Sequence, residues 1–299
     1  MYILGINAYH GDSSACLLKD GLIVSAIEEE RIRRIKHWAG FPSEAIKFCL
    51  KDEGITIKQV DYVTISRDPK ANFFKKVLYV LRYSISFSNI KDRLINSKKV
   101  GSVRKELADL FELPVSSIKS EIYNIEHHRS HIASSFFASP FKSSAVLSID
   151  GFGDFTSTMT AVGEDNRFQV LKEINYPHSL GVFYTAITQF LGFPYYGDEY
   201  KVMGLAPYGN PIYMKELENL LQLTDDGFFM LNKQYFKHFN EGIAMSWEGG
   251  SPNITPLFTN HWRLLFGDPR IEGEDIKQSH IDLATSAQRF TEKVVFHIL

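Results

Sequence analysis

Cysteine is nearly missing from this 299-residue chain: Cys16 and Cys49 are the two present, and their spacing fits neither a disulfide framework nor a thiolate metal site. A reducing, cytoplasmic setting is the expectation that follows. Net charge is almost absent as well, with 33 Lys+Arg against 35 Asp+Glu giving −2, so no whole-chain electrostatic attraction draws the protein to nucleic acid or to an acidic membrane. No apolar run reaches the about 18 residues of a membrane span, and the N-terminus opens on a strand pattern without a basic leader. What is present is ordinary globular material, 44% hydrophobic and 13% aromatic, in a chain long enough to bury about three quarters of its surface without staples.

The pattern along the chain reads as mixed α/β. Tyr2 to Ile6, Ala15 to Leu18 and Leu22 to Ile27 are short apolar runs, with Lys19-Asp20-Gly21 as a hairpin turn, and together they predict a three-stranded meander. Ser43 is placed to cap a helix from Glu44 to Lys51 that buries Ala45, Ile46, Cys49 and Leu50 and stops at Gly54. Strands follow at Asp61 to Ser66 and Ile122 to Ile125, then a helix from His127 to Phe137 that Ser139-Pro140 ends.

The opening pattern then recurs. Ile3 to Ile27 and Val146 to Ile174 share a strand, Asn7 or Asp150, a Gly-Asp turn, a Ser/Thr cluster and two further strands. Two copies of one unit predict a duplicated fold, with residues 1–140 as the first half and 141–299 as the second. Helices are expected after the second meander, from Ser179 to Phe193 and from Ser279 to Leu299, the last burying Leu283, Ala287, Phe290, Val294 and Ile298. The two strands that would complete the repeat do not follow, so the second half reads as incomplete. Between the halves' elements, Arg67 to Lys105 carries 11 Lys+Arg against Asp68 and Asp92, interleaved with Phe73, Phe74, Tyr79, Tyr83 and Phe87. A solvated helical insertion is expected there, over about 67–119, in preference to a nucleic-acid surface.

Two Gly/Asp/Ser-rich turns in a duplicated fold suit a nucleotide's phosphates, because backbone N–H groups approach an anion where no side chain blocks them. The first offers His10, Gly11, Asp12, Ser13 and Ser14, and the second Gly151, Phe152, Gly153, Asp154, Thr156 and Ser157. Gly181, near a helix start, is a candidate for close approach of adenosine. In EHHRSH, Glu126 to His131, the imidazoles of His127 and His131 stand one helical turn apart. A zinc-protease helix needs glutamate where His128 stands, which removes that reading. With Asp150, the pair makes a two-histidine, one-carboxylate set suited to a divalent ion with open positions. A polar helix start or a substrate-binding cluster would use the same residues.

INAYHGDSSACLLKDGLIVSAIEEERIRRIKHWAGFP, HHRSHIASSFFASPF, SIDGFGD and GDEYKVMGLAPYG, in this order, resemble the N-terminal region of the O-carbamoyltransferase family of nodulation-factor and aminoglycoside carbamoyltransferases. The resemblance is weakest over Arg67 to Lys119 and Asp225 to Gln278. It implies a duplicated actin/sugar-kinase-like, ribonuclease-H-like fold that passes a carbamoyl group to a hydroxyl. The carbamoyl adenylate would be made from carbamoyl phosphate and ATP by a second domain that this chain does not contain, so the chain alone is expected to be inactive. By motif position the resemblance implies His10 as general base, Lys36 of a Lys-His motif as the charge opposite developing negative charge, and His127, His131 and Asp150 as ligands of Fe2+, or of Zn2+ or Mn2+. Asp12, Ser13, Ser14, Gly151, Gly153 and Asp154 would line the adenylate. Gly11 is an extra residue against the family's His-Asp-Ser-Ser turn. The expected partners are carbamoyl phosphate, ATP, a hydroxylated small-molecule acceptor and a second copy in a full-length homodimer, with no membrane. A kinase-like ATP-binding domain and a non-catalytic partner module are the competing readings.

Overall fold

The structure is a computed structural model that describes residues 1–83, 103–243, 245–246 and 250–299. It is mixed α/β and divides into two compact units, Met1–Ser130 with Ser246–Asn253, and His131–Met245 with Ile254–Leu299. The division falls between Ser130 and His131, inside a helix, ten residues before the expected boundary at 140.

In the first unit β1 (Tyr2–Asn7), β2 (Ser14–Lys19) and β3 (Leu22–Glu28) form the expected antiparallel meander. Asp20 and Gly21, at φ 51° and 86°, make the tight turn whose twist matches the strands it joins. The chain then runs through α1 (Glu29–Arg33) and α2 (Ser43–Glu53), and β4 (Tyr62–Ile65) and β5 (Glu121–Asn124) add in parallel outside β1. The sheet order is β3-β2-β1-β4-β5. Period-2 burial puts Leu4, Ile6, Leu17, Val63 and Ile65 against Ala45, Ile46, Cys49 and Leu50 of α2. Gly54, left-handed at φ 72°, returns its N–H to the last carbonyls of α2. Of the basic insertion, α3 (Phe73–Tyr83) exposes Phe73, Phe74, Val77 and Leu78, and α4 (Val103–Leu110) buries Val103, Leu107 and Ala108. Phe87 and the rest of 84–102 lie outside the described residues.

A helix, α5 (His127–Phe136), precedes the second meander of β6 (Ser143–Gly153), β7 (Thr156–Glu164) and β8 (Arg167–Asn175), again antiparallel. Ile132 and Phe136 of α5 pack with Val146, Met159 and Ala161 on one face of this sheet. A larger core gathers α6 (Leu180–Phe190), α7 (Glu199–Leu205), α8 (Met214–Leu220) and the long α9 (Gln278–Ile298) around Phe183, Phe190, Phe236, Trp262 and Phe290. The later strands β9 (Leu221–Leu223) and β10 (Phe229–Leu231) pair with each other, and among the described residues β7 is the strand neighbour of β6. Leu283, Ala287, Phe290 and Val294 of α9 are buried as its spacing predicts, whereas Ile298 is only half-buried.

Candidate functional site

Asn7, at the end of β1, spans the turn that follows: its amide donates to the Asp12 carbonyl at 2.9 Å and its carbonyl accepts from the Ser66 hydroxyl at 2.8 Å. The turn is tied to a distant segment as well. Ser13 N–H donates to the Trp38 carbonyl at 3.0 Å, the Ser13 hydroxyl to the Gly40 carbonyl at 2.7 Å, and Tyr9 N–H to Gly40 at 3.2 Å. Ser13 is therefore turned inward, 1% exposed, with its hydroxyl committed to backbone. Ser14 opens β2 half-buried, and Gly11 is buried. His10 Nδ1 lies 3.1 Å from the Gly11 carbonyl, and its ring meets that of His127 edge-on, centroids 5.5 Å apart. Asp12 Oδ1 lies 2.8 Å from His37 Nδ1, and Lys36 beside it is exposed.

The segment that grips the turn is itself anchored by Glu29, a fully buried carboxylate. Its oxygens accept from Arg33 Nε at 2.6 Å and from the N–H groups of Glu44 and Ala45 at 3.1 and 2.7 Å. The expected cap of α2, Ser43, makes no side-chain cap bond and is already helical. Glu29 takes that role from fourteen residues upstream of it in sequence, neutralising the orphan donors of the helix start with a full negative charge. The Arg33 guanidinium lies 4.5 Å from the Trp38 ring, which in turn covers Gly40 so closely that a Cβ there would meet the indole at 2.8 Å.

On α5 the Glu126 carboxylate caps the start, accepting from His128 and Arg129 N–H groups at 3.1 and 2.8 Å. That cap fixes where the helix begins, so His127 and His131 share a face one turn apart while His128 is fully buried. His131 Nε2 stands 3.5 Å from Asp150 Oδ2 on β6. An imidazole and a carboxylate at this spacing are candidate donors to one divalent cation, and His127 stands one turn from His131 on the same helix. Asp150 is held from behind: its other oxygen accepts from Gly151 N–H at 2.6 Å and its carbonyl from the Ser179 hydroxyl at 3.0 Å. Ser179 also caps α6 through Val182 N–H. Gly181 is a close-approach point, and what approaches is protein: a Cβ there would come within 2.7 to 2.8 Å of the Asp150 and Gly151 backbone.

The second turn is a tight hairpin in which Asp154 and Phe155 take φ 50° and 83° while Gly153 pairs with Thr156. Asp154 is half-exposed, Gly151 has open space where a Cβ would stand, and Gly153 is buried. Thr156 and Ser157 are fully buried, with Ser157 donating to the His178 carbonyl at 2.6 Å and Thr156 to Asn175 at 3.3 Å, so their hydroxyls serve the fold. Glu29 is not marked in the sequence, and His37 enters there only beside Lys36 in the Lys-His motif, without its bond to Asp12. Apart from Arg33, four positions from Glu29, the groups their side chains meet stand 15 to 25 positions away, where local spacing does not mark them.

The profile of the family described as Carbamoyltransferase N-terminus matches residues 2–299. The chain belongs to this family. It is 39% identical over 305 residues to the uncharacterized protein sll1178 of Synechocystis sp., covering 99% of this chain and 47% of that one. It is 33% identical over 294 residues to the nodulation protein NolNO of Sinorhizobium fredii, covering 98% of this chain and 38% of that one. The chain thus spans less than half the length of these two curated relatives. The solved structure of YeaZ from Pseudomonas aeruginosa overlaps 59% of this chain and 67% of its own at 12% identity and a TM-score of 0.32, too loose a likeness to carry argument. Among the described residues no helix is long and apolar enough to cross a membrane.

Proposed function

We propose that this carbamoyltransferase-family chain carries the transfer half of an O-carbamoyltransferase, which moves a carbamoyl group from carbamoyl adenylate to a hydroxyl of a small-molecule acceptor. The family match over residues 2–299 carries this reading, and the approach of His131 to Asp150, with His127 one helical turn from His131, supports it. In this reading the two meanders are two copies of an actin/sugar-kinase-like unit, and the adenylate comes from carbamoyl phosphate and ATP.

His10 takes the proton of the attacking hydroxyl. The Gly11 carbonyl only accepts, so it favours the ring proton on Nδ1 and leaves Nε2 as the basic nitrogen. Lys36 brings an exposed ammonium to the strap beside the first turn, suited to charge that develops on the carbamoyl or phosphate oxygens. Asp12, Ser14, Gly151 and Asp154 are the exposed or half-exposed members of the two turns and border the adenylate, while Ser13, Gly153 and Gly181 shape the backbone that carries them. His127, His131 and Asp150 would hold Fe2+, or Zn2+ or Mn2+. When bound, the ion supplies Lewis acidity toward phosphate and carbamoyl oxygens.

The test is a transfer assay on the protein that carries this chain, with ATP, labelled carbamoyl phosphate and a panel of hydroxylated acceptors, beside metal analysis of the purified protein. Labelled acceptor that requires carbamoyl phosphate, lost in His10→Asn, is the expected result. Near-stoichiometric metal should disappear in His127→Ala combined with His131→Ala. Phosphorylated acceptor formed without carbamoyl phosphate would replace this reading with a kinase, and metal retained by the double variant would remove the ion from these residues.

A further inference from the structure

The strap from Glu29 to Gly40 does more than follow β3. Several non-glycine residues of the first unit hold left-handed backbone, among them Tyr9 at φ 66° and Asp12 at φ 63° in the turn, and Arg34 at φ 61° and His37 at φ 53° on the strap. L-residues keep such conformations where their surroundings over-determine them. Beside the Ser13 hydroxyl's bond to the Gly40 carbonyl, His37 joins the two segments side chain to side chain. Its backbone N–H donates to Glu30 Oε2 at 2.8 Å, which fixes it to the first turn of α1, and its Nδ1 lies 2.8 Å from Asp12 Oδ1. An ionised carboxylate only accepts, so Nδ1 carries the ring proton and donates. The carbonyls of Trp38 and Gly40, one and three residues after His37, meanwhile receive the N–H groups of Ser13 and Tyr9.

We propose that His37 is the positioning residue of the first turn: by gripping Asp12 while its own backbone is held by Glu30, it fixes the path of residues 9–13 and sets Lys36, its neighbour, at a defined distance from His10. It acts through Asp12 and need not touch the substrate. The catalytic part of this inference rests on the roles given above to His10 and Lys36; the structural part does not.

The experiment compares His37→Ala, His37→Gly and His37→Asn in the protein that carries this chain, with hydrogen exchange at residues 9–14 and carbamoyl transfer as readouts. Asparagine tolerates left-handed backbone and keeps an N–H donor within reach of Asp12, whereas glycine accepts the backbone and has no donor. His37→Ala and His37→Gly should speed exchange of the Ser13 amide about 10-fold or more, with His37→Asn close to wild type. Turnover should fall about 100-fold in the first two and recover to within about 3-fold in His37→Asn, since small misplacements cost that much. Asp12→Ala should speed the same exchange, and it serves if the His37→Ala chain does not fold. Wild-type exchange in His37→Gly overturns the clamp, as does equal loss of activity in all three variants. If the wild-type protein transfers no carbamoyl group, the functional reading falls, and the exchange measurement still decides the clamp.

Discussion

The two Gly-Asp turns begin from one sequence pattern and are built in different ways. After β1 the polar residue is Asn7, which spends both ends of its amide on the turn and on Ser66. After the corresponding stretch of β6 it is Asp150, whose carboxylate accepts from Gly151 and stands opposite His131. The first turn owes its shape to a strap 25 residues away, through Ser13, Tyr9 and the Asp12–His37 bond. The second closes on itself as a two-residue hairpin, with its buried Thr156 and Ser157 tied to the end of β8 and to His178. An amide at this position shapes the backbone and a carboxylate leaves a charge for a ligand. The first turn should thus be the more sensitive to remote substitution, and the second to what packs directly beneath it.

The largest expected effect is on the strap. Glu29→Ala removes a buried carboxylate that meets Arg33 and two helix-start N–H groups; a loss of about 4 kcal/mol is expected in chemical denaturation. Hydrogen exchange should show faster opening in the first unit and leave β6 to β8 protected; equal opening of both would erase the contrast.

Acid should act on the second unit. Burial pushes the His238 imidazole down to about 4 from its usual 6.5, and burial lowers His178 as well. The unfolded chain binds a proton near pH 6.5 and the folded one does so only near 4, so His238's contribution is complete above pH 6.5 and is lost as pH falls toward 4, by about 3 kcal/mol. Denaturation curves between pH 7.5 and 4.5 would reveal this, and His238→Gln should flatten that slope. An unchanged slope in the variant would assign the acid sensitivity elsewhere.

Gly181→Ala comes next. The added carbon would overlap the Asp150 and Gly151 backbone, so a loss of about 2 kcal/mol is expected, together with weaker retention of the ion proposed for Asp150. Full metal content in a destabilised variant would separate the packing from the ligand role. The smallest effect is that of Gly54→Ala, where nothing lies within 4 Å of a Cβ and only the left-handed φ of 72° objects; thermal melts should report about 1 kcal/mol.

Much of the fold was legible because its signals are local. Short apolar runs marked the strands of the first meander and their recurrence those of the second, the Asp20-Gly21 turn marked its hairpin, and the buried face of α2 came out as Ala45, Ile46, Cys49 and Leu50. The pairing of His127 with His131 needed only the helical repeat. The capping of α2 was not legible, since Ser43 has the right chemistry and Glu29, folded in from β3's end, holds the position. Nor was the inward turn of Ser13, Thr156 and Ser157, whose hydroxyls look identical in sequence whether they meet a ligand or a carbonyl.

By itself the sequence determined the strands of the two meanders and the helices beside them, membership of the carbamoyltransferase family and the helical spacing of the two histidines, because periodicity, turn chemistry and motif order are properties of neighbouring residues. Only the tertiary structure decided which carboxylate caps α2, that Asp12 is held by His37, that Gly181 makes room for the backbone of Asp150, and that Asp150 comes within 3.5 Å of His131. Those facts depend on where packed elements bring together residues far apart in the chain, and burial then selects which polar groups must find each other.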